Sequence, residues 1–194
     1  MRTNFCKPLV FLLLVFTCTS AWSDKYDDYK YEETKEIFSK AGESSLYFKH
    51  SYGYALFPTI GKGGVGIGGA YGKGRVYKHG RYAGDTSMTQ LTIGFQLGGQ
   101  AYRQIIFFED KRAFDEFTSG NFEFGAQASA VAITAGASAA ASTAGGVSTA
   151  ASTSKDSAST TGKYHKGMAV FTIAKGGLMY EATIGGQKFS FKPG

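Results

Sequence analysis

Between Gly61 and Gly74 glycine recurs at almost every second position, and no other feature of the sequence restricts the backbone as much. Gly64, Gly66, Gly68, Ala70, Gly72 and Gly74 share one parity, while Val65, Ile67, Tyr71, Arg75 and Tyr77 share the other. In a helix each of these glycines would cost about 1 kcal/mol relative to alanine, and the two sets would scatter around the circumference. A period of two is the signature of extended backbone. One face of such a strand is nearly bare main chain, which permits sharp coiling or the close approach of another layer.

The same period runs through most of the chain on either side. Tyr52 to Phe57 reads as a strand stopped by Pro58, and Lys78-His79-Gly80 as a turn. Met88 to Gly98 alternates, with Leu91, Ile93, Phe95 and Leu97 expected inward and Gln90, Thr92 and Gln96 outward. Ile105 to Phe108 is apolar on both parities, as in a strand buried on both faces. Asp110 is placed to cap a short helix carrying Ala113, Phe114 and Phe117, closed by Gly120. Gly167 to Ala174 and Leu178 to Ile184 read as further strands, and Gly185-Gly186 as a hairpin turn before Phe189 and Phe191. Ahead of the strands, Tyr29 to Ala41 has helical spacing, with Ile37, Phe38 and Ala41 on one face, Thr34 and Lys30 above them, and Glu32, Glu36 and Lys40 away from it. The expected class is α+β: a coiled antiparallel sheet or barrel-like β core, an N-terminal helix and one short internal helix. Residues 135–161 are almost wholly Ala, Ser, Thr and Gly and read as a flexible excursion that cannot bury a large core.

Arg2 and Lys7 precede an unbroken apolar run from Leu9 to Phe16, and Ala21-Trp22-Ser23 supplies small residues in a cleavage-site pattern. Residues 1–23 are therefore expected to be a signal peptide, with cleavage after Ser20 as the alternative to Ser23, and residues 24–194 a single domain. Cys18, just after the apolar run, keeps lipid attachment open as a rival reading. Both cysteines, Cys6 and Cys18, lie in this leader, so the domain has no disulfide, thiolate nucleophile or cysteine-based metal site.

Candidate sites for chemistry are few. Gly61-Lys62-Gly63-Gly64-Val65-Gly66 fits a dinucleotide-binding spacing, but that site needs a helix next and the period here stays at two. His50, His79 and His165 lack the spacing of metal ligands, and no nucleophile elbow is present. No enzyme, cofactor or metal is expected, and no nucleic-acid motif accompanies the basic residues. Charge is uneven instead. Between Leu46 and Gln104 the chain has seven lysines and arginines and one acid, Asp85, whereas Asp24 to Glu43 is net acidic. Lys62, Lys73, Arg75, Lys78 and Arg81, interleaved with Tyr71, Tyr77 and Tyr82, form a pattern suited to an anionic surface, because cations attract headgroups and tyrosines sit well at a polar–apolar boundary, with Tyr71 and Tyr77 expected at the contact. A charged strand face with aromatic cross-strand pairs explains the same residues without a ligand.

The glycine pattern also resembles a known family. Ala55-Leu56-Phe57-Pro58, Gly61 to Gly69, Gly72-Lys73-Gly74, Gly94 to Gln100, Ser119-Gly120-Asn121-Phe122 with Gly125-Ala126, and Lys175-Gly176-Gly177-Leu178 together are similar to the SYLF domain family, in order along nearly the whole chain beyond the leader. The resemblance implies lipid binding, since eukaryotic members bind phosphoinositides and membranes and some bind actin, while bacterial members are typically exported or associated with the envelope. The family's lipid-binding N-terminal helix is basic, whereas the matching helix here carries Glu32, Glu33 and Glu36, which moves the expected contact to the basic strands. The expectation is an exported, non-enzymatic protein, periplasmic, envelope-associated or secreted, that binds anionic phospholipid at a membrane surface. The alternatives are a structural or self-associating envelope component joined through a strand edge, and a carrier of one lipid in a β cavity.

Overall fold

The computed structural model describes residues 19–94, 100–125, 128, 130–133, 164–175 and 184–194, with side chains at 19–26, 65–67, 92–94 and 131–133 outside that set. Three helices come first: α1 (Thr19–Lys40), α2 (Gly42–Ser45) and α3 (Tyr47–His50). Strands β1 (Gly53–Lys78), β2 (Arg81–Gly94) and β3 (Gln100–Phe108) come next, then helix α4 (Lys111–Phe117) and strands β4 (Phe122–Glu123), β5 (Val131–Ile133), β6 (Met168–Lys175) and β7 (Lys188–Pro193). All seven strands join one curled sheet in the order β4-β7-β2-β1-β3-β6-β5, antiparallel except for the β5–β6 pair. This is the α+β arrangement that the spacing of the sequence predicts.

Strand β1 gives the sheet its shape. Its first half pairs with β3 and its second half with β2. The two halves also lie face to face. A Cβ at Gly72 would come within 2.6 Å of Ile60 Cγ1, and one at Gly74 within 2.6 Å of the Phe57 ring. The bare parity is therefore the side on which the strand doubles over itself, and any side chain there would hold the halves apart. Pro58 does not end the strand, contrary to the expectation. A register shift between Phe57 and Ile60 falls across it, so the missing N–H is absorbed at an irregularity rather than in a regular ladder.

The sheet buries both faces. On the inner face Phe57, Ile60, Met88, Ile106 and Phe108 meet Phe114 and Phe117 of α4 and Phe189 of β7. On the other, Leu56, Ile105, Phe107 and Phe171 are covered by Phe38 of α1 with Tyr47 and Phe48. β3 lies between the layers, and Ile105, Ile106, Phe107 and Phe108 are all fully buried, as their double apolar parity predicts. Full burial of each such side chain contributes about 1.5–3 kcal/mol, so the two layers are the main source of stability. Asp110 caps α4 by accepting a 2.8 Å bond from the Ala113 amide, as expected.

Among the described residues helix α1 runs from Thr19, ahead of the expected Tyr29, and of the expected face Thr34, Phe38 and, just past its end, Ala41 are buried while Ile37 is half-buried. The phase of β2 is the reverse of the expected one. Leu91 is 86% exposed, while Met88 and Gln90 are buried. Apolar alternation alone favours Leu91 for the core, but pairing with β1 sets the parity, and Gln90 is retained inside by a 2.9 Å bond from its Nε2 to the Gly185 carbonyl. The leader through residue 18, the expected excursion at 135–161, Phe95, Leu97 and residues 176–183 lie outside the described residues.

Candidate functional site

Strand alternation sorts the seven candidate residues into separate places. From Ala70 to Val76 the even positions of β1 are buried on the inner face, so Tyr71, Lys73, Arg75 and Tyr77 project to the face that carries α1. Lys62 does not join them. It lies on the inner parity with Ile60 and is 9% exposed. Lys78 and Arg81 flank the hairpin turn at the far end of β1, with the Lys78 ammonium 5.4 Å from the centre of the Tyr52 ring.

The four residues on the α1 face also differ among themselves. Tyr77 is buried against Tyr54, their ring centroids 4.9 Å apart, and burial raises the pKa of its phenol. Arg75 bonds Asp28 of α1 at 2.6 Å, and its guanidinium carbon sits 4.3 Å from the centre of the Tyr31 ring. Arg103 of β3 reaches Glu33 of α1 at 3.2 Å in the same manner. Part of the uneven charge seen in the sequence thus closes internally, acidic helix on basic strands. These two residues hold α1 in place and are not available to a partner while it is docked.

Beyond the reach of those contacts the same face is open. Tyr71 is 52% exposed and Lys73 is exposed. Tyr71 pairs with Thr89 and Gly69 with Leu91, so Tyr71 and Leu91 are diagonal neighbours on one face of adjacent strands. Gly69 contributes no side chain between them. One strand further, Lys188 and Lys192 of β7 stand opposite Thr89 and Asp85 and share this face. Lys188 is 3.5 Å from Glu123, whereas Lys73 and Lys192 have no carboxylate within ion-pair distance among the described residues. The surface is an aromatic and an aliphatic side chain standing out from a sheet, with Lys73 next to Tyr71 along β1 and Lys188 across from Thr89.

Leu91, Lys188 and Lys192 are the members that sequence reasoning missed. The two lysines were legible, because they alternate with Phe189 and Phe191, which share one face of the returning strand. Leu91 was not, since its own strand reads as apolar-inward.

Other chemistries find little support in the geometry. Gly61 to Gly66 lies within β1, and the chain stays extended to Lys78, so no helix N-terminus comes next to receive a pyrophosphate. Among the described residues no group of three or more His, Cys, Asp or Glu is placed to hold a metal ion, and no helix is long and apolar enough to cross a membrane.

Comparison with known proteins agrees with the glycine signature. Residues 89–192 match the profile of the family described as "Ysc84: Las17-binding protein actin regulator". The chain is 31% identical over 162 residues to a protein of Aeromonas veronii named "Beta cell expansion factor A", an alignment that covers 79% of this chain and 51% of that protein. The chain thus spans about half the length of this curated relative. The family match covers more than half of the sequence and includes the expected Gly94 to Gln100 and Lys175 to Leu178 segments. The chain belongs to the Ysc84 family, the SYLF domain proteins.

Proposed function

We propose that the protein is a non-enzymatic, exported lipid-binding protein that docks on anionic membrane surfaces with the open part of its α1-bearing face. The observation that carries this reading is the pair Tyr71 and Leu91, exposed side by side with Lys73 next to them. An 86% exposed leucine on a regular strand costs solvation without contributing to the core, and it is well placed to enter the headgroup boundary. Lys73 and Lys192 supply attraction of about 1 kcal/mol each close to a charged bilayer. The described contacts of α1 with the sheet come from Asp28 onward, so removal of residues 1–23 leaves them in place, which is compatible with maturation after Ser23.

The test is co-sedimentation with vesicles of phosphatidylcholine containing phosphatidylglycerol at pH 7.5. The protein is expected to bind at low salt and to be released as ionic strength rises past the point where the screening length falls below about 10 Å. The double variant Tyr71→Ser, Leu91→Gln is expected to lose at least about tenfold in affinity while keeping its fold. Indifference of binding to both changes would overturn the reading.

A further inference from the structure

The chain has three histidines, and each adjoins a lysine: Lys49-His50, Lys78-His79 and His165-Lys166. The fold gathers all three pairs at one end of the sheet. Tyr52, two residues after His50, donates its amide to the Phe108 carbonyl at 2.8 Å, and its carbonyl accepts from the His79 amide at 3.1 Å. The Tyr52 and His79 ring centroids are 4.5 Å apart. On the other side the Tyr47 ring of α3 lies 5.1 Å from that of Tyr164, and the Glu109 amide bonds the Gly167 carbonyl at 2.8 Å. The start of β1, its hairpin with β2, the end of β3 and the start of β6 therefore share this end, and all three histidines are exposed there.

The backbone at two of the pairs is unusual. His79 (φ 48°) and Lys166 (φ 52°) are the non-glycine residues with positive φ among the described residues, and each precedes a glycine that also has positive φ. Both form two-residue hairpin turns, in which Asn or Asp is the ordinary choice for the first position. Histidine tolerates such a position, whereas Lys166 carries backbone strain there that turn formation does not require.

Around the imidazoles the described lysines and arginines number six and the carboxylates five, so neutral rings leave this end close to balance. Lys111 pairs with Asp115, and Arg112 with Asp110 and Glu116, so the two cations of α4 meet three carboxylates. Arg112 also donates to the Lys166 carbonyl at 3.2 Å. Lys49, Lys78, Arg81 and Lys166 have no carboxylate within ion-pair distance among the described residues, and only Glu43 of α2 and Glu109 remain as acids nearby without a cation. Histidine is the side chain whose charge changes in the mildly acidic range, and three charged imidazoles would add three positive charges to this end.

We propose that this end is a second docking surface for anionic phospholipid, engaged at acidic pH when its three imidazoles are charged. It rests on the reading of the protein as a lipid binder only for the choice of partner. His79 lies eight residues beyond Tyr71, about 26 Å of extended chain, so the two surfaces are separable by mutation.

The experiment measures affinity for phosphatidylglycerol-containing vesicles at pH 5.5 and 7.5, with pure phosphatidylcholine vesicles as the neutral control and circular dichroism as the fold control. The unaltered protein is expected to bind at least about tenfold tighter at pH 5.5. The variant His50→Gln, His79→Asn, His165→Gln should bind equally at both pH values, asparagine being chosen for its tolerance of positive φ. The double variant His50→Gln, His165→Gln leaves the hairpin untouched and should show an intermediate pH effect. The variant Tyr71→Ser, Leu91→Gln should bind at pH 5.5 and fail at pH 7.5. Equal affinity of the unaltered protein at the two pH values, or a pH effect that survives loss of the histidines, overturns this inference and leaves the first docking face standing. Binding at pH 5.5 with none at pH 7.5 overturns the first and keeps the second. Absence of binding at both overturns both.

Discussion

Gly72 and Gly74 are positions where the smallest side chain decides the architecture. A methyl group at Gly74 would meet the Phe57 ring and the Leu56 carbonyl, the latter at 2.8 Å, and neither neighbour can retreat because both belong to the buried layer. Gly74→Val is expected to destabilise the fold by about 3 kcal/mol or more, whereas Gly63→Val, at an exposed position with open space, should change stability by less than about 1 kcal/mol. Urea denaturation of the two variants checks the contrast. Tyr31 offers a pH test at the same scale. Burial pushes its phenol from 10.0 up to about 12, against the opposing effect of Arg75. The folded state therefore prefers the protonated phenol, and its contribution to stability is full below about pH 10 and lost as pH rises toward about 12. Stability measured by denaturant melts should be flat in this contribution up to about pH 9 and decline beyond about pH 10. A Tyr31→Phe variant should show a shallower decline.

At the scale of elements, the docking of α1 joins two kinds of contact of unequal weight. Phe38 is fully buried against the sheet, while the Asp28 and Glu33 carboxylates that meet Arg75 and Arg103 are largely open to water. Exposed ion pairs contribute about 0.2–1 kcal/mol, but truncation of a buried phenylalanine costs about 3–5 kcal/mol. Phe38→Ala is thus expected to destabilise severely and Asp28→Asn by less than about 1 kcal/mol, with thermal melts as the measure. The ion pairs instead fix where along the sheet the helix lies. They bring its acids over Arg75 and Arg103, and they leave Tyr71, Lys73 and Leu91 outside its contacts. The short helix α4 works similarly, with its Asp110 cap fixing the start of a segment whose anchoring comes from Phe114 and Phe117.

For the whole molecule, much of the architecture was legible because period-two spacing is a local property. The β1–β2 turn, the doubly buried β3, the α4 cap and the Phe189 strand all arise from residues within a few positions of one another. What could not be read depends on partners distant in sequence. Pro58 reads as a stop, yet the shift in pairing with β3 carries the strand through it. Leu91 reads as core, yet its pairing with β1 turns it outward. The cations Lys62, Lys73, Arg75, Lys78 and Arg81 look alike along the chain, and only the coiling of β1 sends them to the interior, the open face, the helix contact and the hairpin end. The same coiling couples the interior of the protein to its exterior chemistry. Were β1 to slip by one position against β2, the glycines would face water and Tyr71 and Lys73 would be driven into the cleft where Ile60 and Phe57 now lie. The absence of side chains on one surface of a ribbon thereby selects which side chains the other surface displays, so a substitution that never touches a lipid could still erase the face that meets it.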